Sequence, residues 1–172
     1  SELITNILRL NKLENQQIYP QPERFELNEQ LRECLLDFEA AWERKGLQIE
    51  ASLDEAVAVT ADRELLSLVW NNLISNAVKF TGPGGYIRVG LEEEGVWAVV
   101  TVSDTGCGIS PEVGPHIFEK FYQGDSSHTA QGNGLGLALV KRVVDILGGE
   151  IGVESQIGQG SVFTVRLRRR PE

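Results

Sequence analysis

The chain has 172 residues, 41% hydrophobic and 24% charged, and its 25 acidic against 16 basic side chains leave a net charge of −9. So acidic a surface argues against sequence-independent nucleic-acid binding, which draws on a broad basic face, and the sequence carries neither an apolar run of bilayer-spanning length nor a secretory leader. Cys34 and Cys107 lie far apart without metal-type spacing, which excludes a disulfide framework and fits a reducing compartment.

Residues 1–18 place Leu3, Ile7, Leu10 and Leu13 at three- and four-residue steps, the stripe of a narrow amphipathic helix. Pro20 and Pro22 then stop the helix and stiffen a linker. Asn28 is placed to cap a helix running to Lys45, with Gly46 as its stop. "LQIEASL" and "AVAVT" read as short strands, and Asp62 as the cap of a helix reaching Phe80. Residues 85–104 read as a hairpin turning near Glu94-Gly95. A short helix is expected from Pro111, a small polar loop over 122–134, and a further helix to Leu147, stopped by Gly148-Gly149. "EIGVES" and "SVFTVRLR" form a last strand pair. The strand pairs are hairpins and not βαβ repeats, so the fold class is α+β, helices layered on one face of a mixed sheet. Methionine is absent and the chain opens on Ser1, as expected of a piece of a longer polypeptide.

Four stretches carry chemistry. In "WNNLISNAVKF" the residues Leu66, Val69, Leu73, Ala77 and Phe80 form a buried stripe. Asn72, Asn76 and Lys79 share the adjoining face at steps of four and three. An asparagine oxygen can ligate a hard cation such as Mg²⁺ and a lysine can meet a phosphate, although polar residues on a wet face have the same spacing. "SDTGCGIS" ends a β-branched strand with Asp104, an acceptor suited to an exocyclic amine, followed by Gly106 and Gly108. "GNGLGLALV" sets Gly132, Gly134 and Gly136 at a helix start, where backbone N–H groups and the helix dipole favour a phosphate. Its G-x-G-x-G spacing is neither the dinucleotide fingerprint nor a P-loop. "GQGSVF" is a small-residue turn leading into the last strand.

In this order the motifs resemble those of the ATP-binding catalytic domain of bacterial two-component sensor histidine kinases, which share their nucleotide fold with gyrase-type and heat-shock chaperone ATPases. "NNLISNAVKF" resembles the asparagine box, "DTGCGI" and "GNGLGLALV" the two glycine boxes, "IFEKFY" the phenylalanine box and "GQGSVF" the closing glycine–threonine turn, with Ser161 for threonine. The resemblance spans roughly residues 25–168, and residues 1–18 resemble the second helix of a dimerisation and histidine-phosphotransfer hairpin. It implies a two-layer α/β sandwich of the Bergerat type, with a mixed sheet of about five strands, three helices on one face and an N-terminal helix. The implied division is 1–19 for the tail of the dimerisation helix, 20–24 for the linker and 25–172 for the catalytic domain.

The implied cofactors are ATP and Mg²⁺. Asn76 would be the metal ligand, Lys79 a phosphate contact and Asn72 a neighbour of metal and phosphates. Asp104 would accept from the adenine amine, Gly108 would line the base, and Phe80 and Ile109 would pack on it. Gly132, Gly134 and Gly136 would form the triphosphate turn, and Gly106, Phe121, Leu135 and Ser161 complete the contacts. Residues 122–134 would be a lid whose near end Phe118 and Phe121 anchor. Asn72 stands where gyrase-type relatives carry a water-activating glutamate, which favours transfer over hydrolysis. Gln123 replaces a common arginine, the lid holds no Lys or Arg, and Lys141 sits in the next helix.

The resemblance makes the protein part of a protein-histidine kinase, a transferase. It would position Mg-ATP for transfer to a histidine on an absent helical domain and then to an aspartate of a response-regulator receiver domain. His116 and His128 are the only histidines and neither occupies an acceptor position, so the chain is expected to bind ATP without phosphorylating itself. Its parent is expected to be a homodimer anchored in the cell membrane, with this domain soluble on the cytoplasmic side. A non-catalytic nucleotide-sensing module and a gyrase-type ATP hydrolase are the alternatives.

Overall fold

The computed structural model describes residues 19–109, 117–118 and 136–170. The segment 1–18, the helix expected from Pro111 and the loop 122–134 lie outside the described residues. The chain enters β1 (Glu23–Glu26), α1 (Leu27–Leu36), α2 (Glu39–Lys45), β2 (Gln48–Ser52), β3 (Ala58–Ala61) and α3 (Arg63–Phe80). There follow β4 (Tyr86–Glu94), β5 (Trp97–Asp104), α4 (Gly136–Ile146), β6 (Glu150–Gln156) and β7 (Gly160–Arg168). The five-stranded sheet has the order β2-β4-β5-β7-β6, and β1 pairs with β3 in a separate two-stranded sheet. β2 runs parallel to β4 while the other neighbours are antiparallel, so the sheet is mixed, as expected.

Alternation along the strands builds the core. Ile87, Val89 and Leu91 of β4, Ala98, Val100 and Val102 of β5, and Phe163, Val165 and Leu167 of β7 are buried. They join Leu66, Val69, Trp70, Leu73 and Ile74 of α3 and Leu139, Val140, Val143 and Val144 of α4 in one cluster. Full burial of each large aliphatic side chain contributes about 1.5–3 kcal/mol. On the opposite face Trp97 lies between the guanidinium groups of Arg166 and Arg168, at 5.0 and 5.2 Å from its ring centre, a pair of cation–π contacts.

Two local expectations change. The helix read from Asn28 to Lys45 is two helices, broken at Asp37-Phe38. The apolar period continues through the bend to the partly buried Phe38 and Trp42, so pattern alone could not reveal it. Nor is Asn28 a cap: the N-cap is Glu26, and Asn28 is buried inside α1, where its Oδ1 accepts the Val57 N–H at 3.2 Å. Asp62 does cap α3, accepting the Leu65 N–H at 3.1 Å. Gln30, almost wholly buried, joins α1 to α3: its amide nitrogen donates to the Arg63 carbonyl and Ser67 Oγ, and its oxygen accepts from Trp70 Nε1 at 2.8 Å.

The end of α3 is fully accounted for. A helix leaves its last carbonyls without intrahelical donors. Here the Thr81 N–H takes the Ala77 carbonyl, and the Cys107 N–H takes that of Phe80. Lys45 Nζ, from the end of α2, donates to the carbonyls of Val78 at 2.6 Å, Lys79 at 3.0 Å and Thr81 at 3.0 Å. The bend at Phe38 thus brings a charge to the negative end of the α3 dipole. Lys45→Met is expected to lower stability by about 2 kcal/mol, read as a shift in urea midpoint with unchanged slope. An unchanged midpoint would mean that water serves these carbonyls equally well.

Among the described residues, no helix is long and apolar enough to cross a membrane.

Candidate functional site

Three polar residues share one lateral row on the helix-covered face of the sheet. Asp104, the last residue of β5, is opposite Ser161 of β7, which is opposite Ser155 of β6. Residues directly opposite have Cβ atoms about 4.5–5.5 Å apart. The Asp104 carboxylate accepts the Gly106 N–H at 2.8 Å, and the Ser161 N–H lies near enough to favour its ionised form. Burial nevertheless holds its pKa above the ordinary aspartate value, the two N–H groups opposing that shift only in part.

Beyond Asp104 the chain turns against the β6–β7 hairpin. The Gly158 N–H donates to the Cys107 carbonyl at 2.8 Å, and the Ile109 N–H to Ser155 Oγ at 2.7 Å. Gly108 lies between them at φ +75°, where a Cβ would strike the Gln156 carbonyl. The turn carrying Gly106, Gly108 and Ile109 is therefore docked backbone against backbone, and the Cys107 N–H joins it to the Phe80 carbonyl at the end of α3.

α3 supplies the adjoining wall. Asn72, Asn76, Lys79 and Phe80 are half-buried along one side. Asn72 Nδ2 donates to the Leu68 carbonyl at 2.7 Å, and its Oδ1 faces the start of α4. A Cβ on Gly136 would lie 2.9 Å from that oxygen, so a larger residue there would displace the Asn72 side chain. Among the described residues, none takes the Asn76 side-chain amide. Ile109 packs on the core. Phe118 meets Phe163 edge to face, with ring centres 6.5 Å apart. Lys141 points away and pairs with Asp145 at 2.8 Å on the exposed side of α4. The expected contacts Phe121, Gly132, Gly134 and Leu135 lie outside the described residues, as do Gln123, His116 and His128.

The structure thus brings Asn72, Asn76, Lys79, Phe80, Asp104, Gly106, Gly108, Ile109, Gly136 and Ser161 to one end of the sheet. Among the described residues there is no group of three or more His, Cys, Asp or Glu side chains able to hold a metal. An amide oxygen that no described residue uses suits Mg²⁺, which takes few protein ligands and completes its shell with phosphate oxygens and water. A hollow of about 410 Å³ between the linker prolines, β3 and the end of α4 is separate and shares no residue with this constellation. Sequence reasoning overlooked Lys45 and Ser155. The first has no local signal, but Ser155 had one: it is the polar member of the inward series Ile151, Val153, Ser155.

Comparison with known proteins gives the same assignment. Residues 61–171 match the model of the histidine kinase-, DNA gyrase B- and HSP90-like ATPase family. The chain is 41% identical over 169 residues to the circadian input-output histidine kinase CikA of Synechococcus elongatus, covering 95% of this chain and 22% of that protein. It is 36% identical over 171 residues to the sensor histidine kinase RppB of a Synechocystis species, covering 97% of this chain and 37% of that protein. It therefore spans only between about a fifth and two fifths of these curated relatives' length. Among solved structures, full-length ShkA in complex with AMPPNP superposes with a TM-score of 0.85 at 27% identity, over 96% of this chain and 35% of that one. The catalytic domain of the histidine kinase ThkA superposes at 0.78 and 30% identity, over 88% of this chain and 97% of that one. The chain belongs to the histidine kinase-, DNA gyrase B- and HSP90-like ATPases, on the branch of the sensor histidine kinase catalytic domains.

Proposed function

We propose that this chain binds Mg-ATP at the Asp104 end of its sheet and presents the γ-phosphate to a histidine on a helical domain of the same kinase. A response-regulator aspartate would be the next acceptor; ThkA, of the same fold, has been solved in complex with the response regulator TrrA. The observation that carries the reading is the convergence of three separate sequence segments, the Asn72–Phe80 face, Asp104 with its glycine turn, and Ser161, at one end of the sheet.

Phosphoryl transfer asks a protein chiefly to position reactants and neutralise charge. Asp104 accepts a hydrogen bond from the adenine 6-amino group, and Phe80 and Ile109 flank the ring. Asn76 offers its amide oxygen to Mg²⁺, which when bound neutralises phosphate charge. Lys79 and the backbone of Gly132, Gly134, Leu135 and Gly136 meet the phosphates, and Phe121 closes the near side. Asn72 has no carboxylate, and its amide nitrogen is committed to the Leu68 carbonyl. It does not activate water, which supports transfer over hydrolysis. The segment before Tyr19 would then be the tail of the dimerisation helix, and the linker expected over 20–24 ends at Pro22, because Glu23 and Arg24 already pair with β3. The parent is a homodimer held at the membrane, with this domain in the cytoplasm.

Calorimetry with Mg-ATP, ADP and GTP tests the pocket, and a histidine-bearing helical domain added in trans tests the transfer. Labelling of that domain is expected. Tight ATP binding without transfer would indicate a nucleotide sensor, and rapid ATP turnover by the chain alone a hydrolase. Asp104→Asn is expected to cut the preference for ATP over GTP by about tenfold or more, because an amide can turn its donor to a 6-oxo group. The ionised carboxylate is the stronger acceptor for the amine, since protonation turns one of its oxygens into a donor. Because its pKa is raised, ATP affinity should decline as pH falls, starting at higher pH than for an ordinary aspartate. The Asp104→Asn variant should lack that component of the pH profile. An identical profile in both proteins would remove Asp104 from the base.

A further inference from the structure

The hydroxyl of Ser155 joins the glycine turn to the closing hairpin, and counting its protons fixes the direction of the whole chain of hydrogen bonds. Ser155 Oγ accepts the Ile109 N–H at 2.7 Å, lies 2.8 Å from the Gly160 carbonyl oxygen and is 2.9 Å from Ser161 Oγ. A serine hydroxyl has one proton and two lone pairs, and a carbonyl oxygen can only accept. The Ser155 proton therefore goes to Gly160, since two oxygens at that distance with no proton between them would repel. One lone pair takes the Ile109 N–H. The remaining lone pair faces Ser161, so Ser161 must be the donor of that last bond.

Its only proton spent on Ser155, the Ser161 oxygen has lone pairs alone to offer beside Asp104, whose carboxylate is likewise an acceptor. From this we propose that Ser155 is a positioning residue that makes the base end of the site an acceptor-only wall, selecting a 6-amino purine nucleotide and rejecting its 6-oxo counterpart. The inference rests on the nucleotide reading above and deepens it. Without the Ser155 hydroxyl, the Ser161 proton is free to rotate toward a 6-oxo group, directly or through water, and the wall acquires a donor. The Ile109 N–H and the Gly160 carbonyl lose their partner at the same time.

The test measures dissociation constants of Mg-ATP and Mg-ITP, which differ at the 6-position and in the N1 proton it entails, for the 172-residue chain and its variants. Ser155→Ala is expected to reduce the ATP-to-ITP preference by about tenfold, and Ser155→Thr to restore it. A purely structural role would weaken both nucleotides alike and leave the ratio unchanged, which would overturn the proposal. Should Ser155→Ala fail to fold, Ser161→Ala carries the test, because it leaves the bonds of Ser155 to Ile109 and Gly160 in place. It removes the acceptor lone pairs without adding a donor, so it must lower the ratio through weaker ATP binding alone with ITP binding unchanged, and an unchanged ratio overturns the proposal. Asp104→Asn separates the two levels. If it abolishes discrimination while both serine variants keep it, the base-site reading stands and the role of Ser155 falls. If the unaltered chain binds ATP and ITP equally, both fall.

Discussion

Asn76→Ala is expected to weaken Mg-ATP binding by about a hundredfold while leaving metal-free ADP binding within about twofold. The asymmetry follows from what the side chain does in the fold. Asn76 is half-buried on α3, four residues after Asn72 and three before Lys79, and no described residue uses its amide. Asn72, by contrast, is tied to the Leu68 carbonyl and pressed against Gly136. Removing Asn76 therefore breaks no bond to a described residue, and its effect should appear chiefly when a metal must be coordinated. Titrations with and without magnesium, monitored by calorimetry, read the difference directly. Equal small losses for both ligands would take Asn76 out of the metal shell.

Gly160→Ala should cost about 3–5 kcal/mol of folding stability, the sum of a forbidden backbone conformation and a collision. Gly160 sits at φ +112°, and a Cβ there would run into the backbone carbonyl of Asp104 and approach Thr105 Cα at 2.9 Å. Neither obstacle is a flexible side chain, so β5 and β7 would have to separate where Asp104 faces the Ser161 N–H. Gly158 provides the control: its φ is +78°, but a Cβ would meet nothing within 4 Å. Gly158→Ala should cost only about 1–2 kcal/mol, the penalty of the left-handed conformation. Urea melts of the two variants separate the contributions, and equal losses would show that close approach of the strands is unimportant.

Much of this arrangement was legible because the chemistry is written in local patterns. The three-and-four spacing of Asn72, Asn76 and Lys79 beside a buried stripe placed them on one side of α3, and a β-branched strand placed Asp104 at its end. The helix from Asp62 to Phe80 could be drawn from its cap and its period. What escaped depends on pairings remote in sequence. "ERFE" has no strand period of its own and becomes β1 only because Phe25 meets Val59 across an antiparallel ladder. Asn28 has the chemistry of a cap, but its oxygen is claimed by Val57, 29 positions later. Lys45 looked like the basic end of a helix, and nothing nearby indicates that the carbonyls it serves belong to residues 78–81. Nor does the glycine run reveal that the one at 136 also stands close to the Asn72 side-chain oxygen.

β7 is the last of the described strands in sequence, yet it is wedged between β5 and β6. A nascent chain that has emerged as far as β6 lacks the strand that joins β6 to β5, and its Asp104 and Ser155 wait for Ser161 still inside the exit tunnel. Nucleotide can therefore have no hold on early translation intermediates. Its stabilising effect, by mass action on the completed form alone, begins once that final segment has threaded into the middle of the sheet.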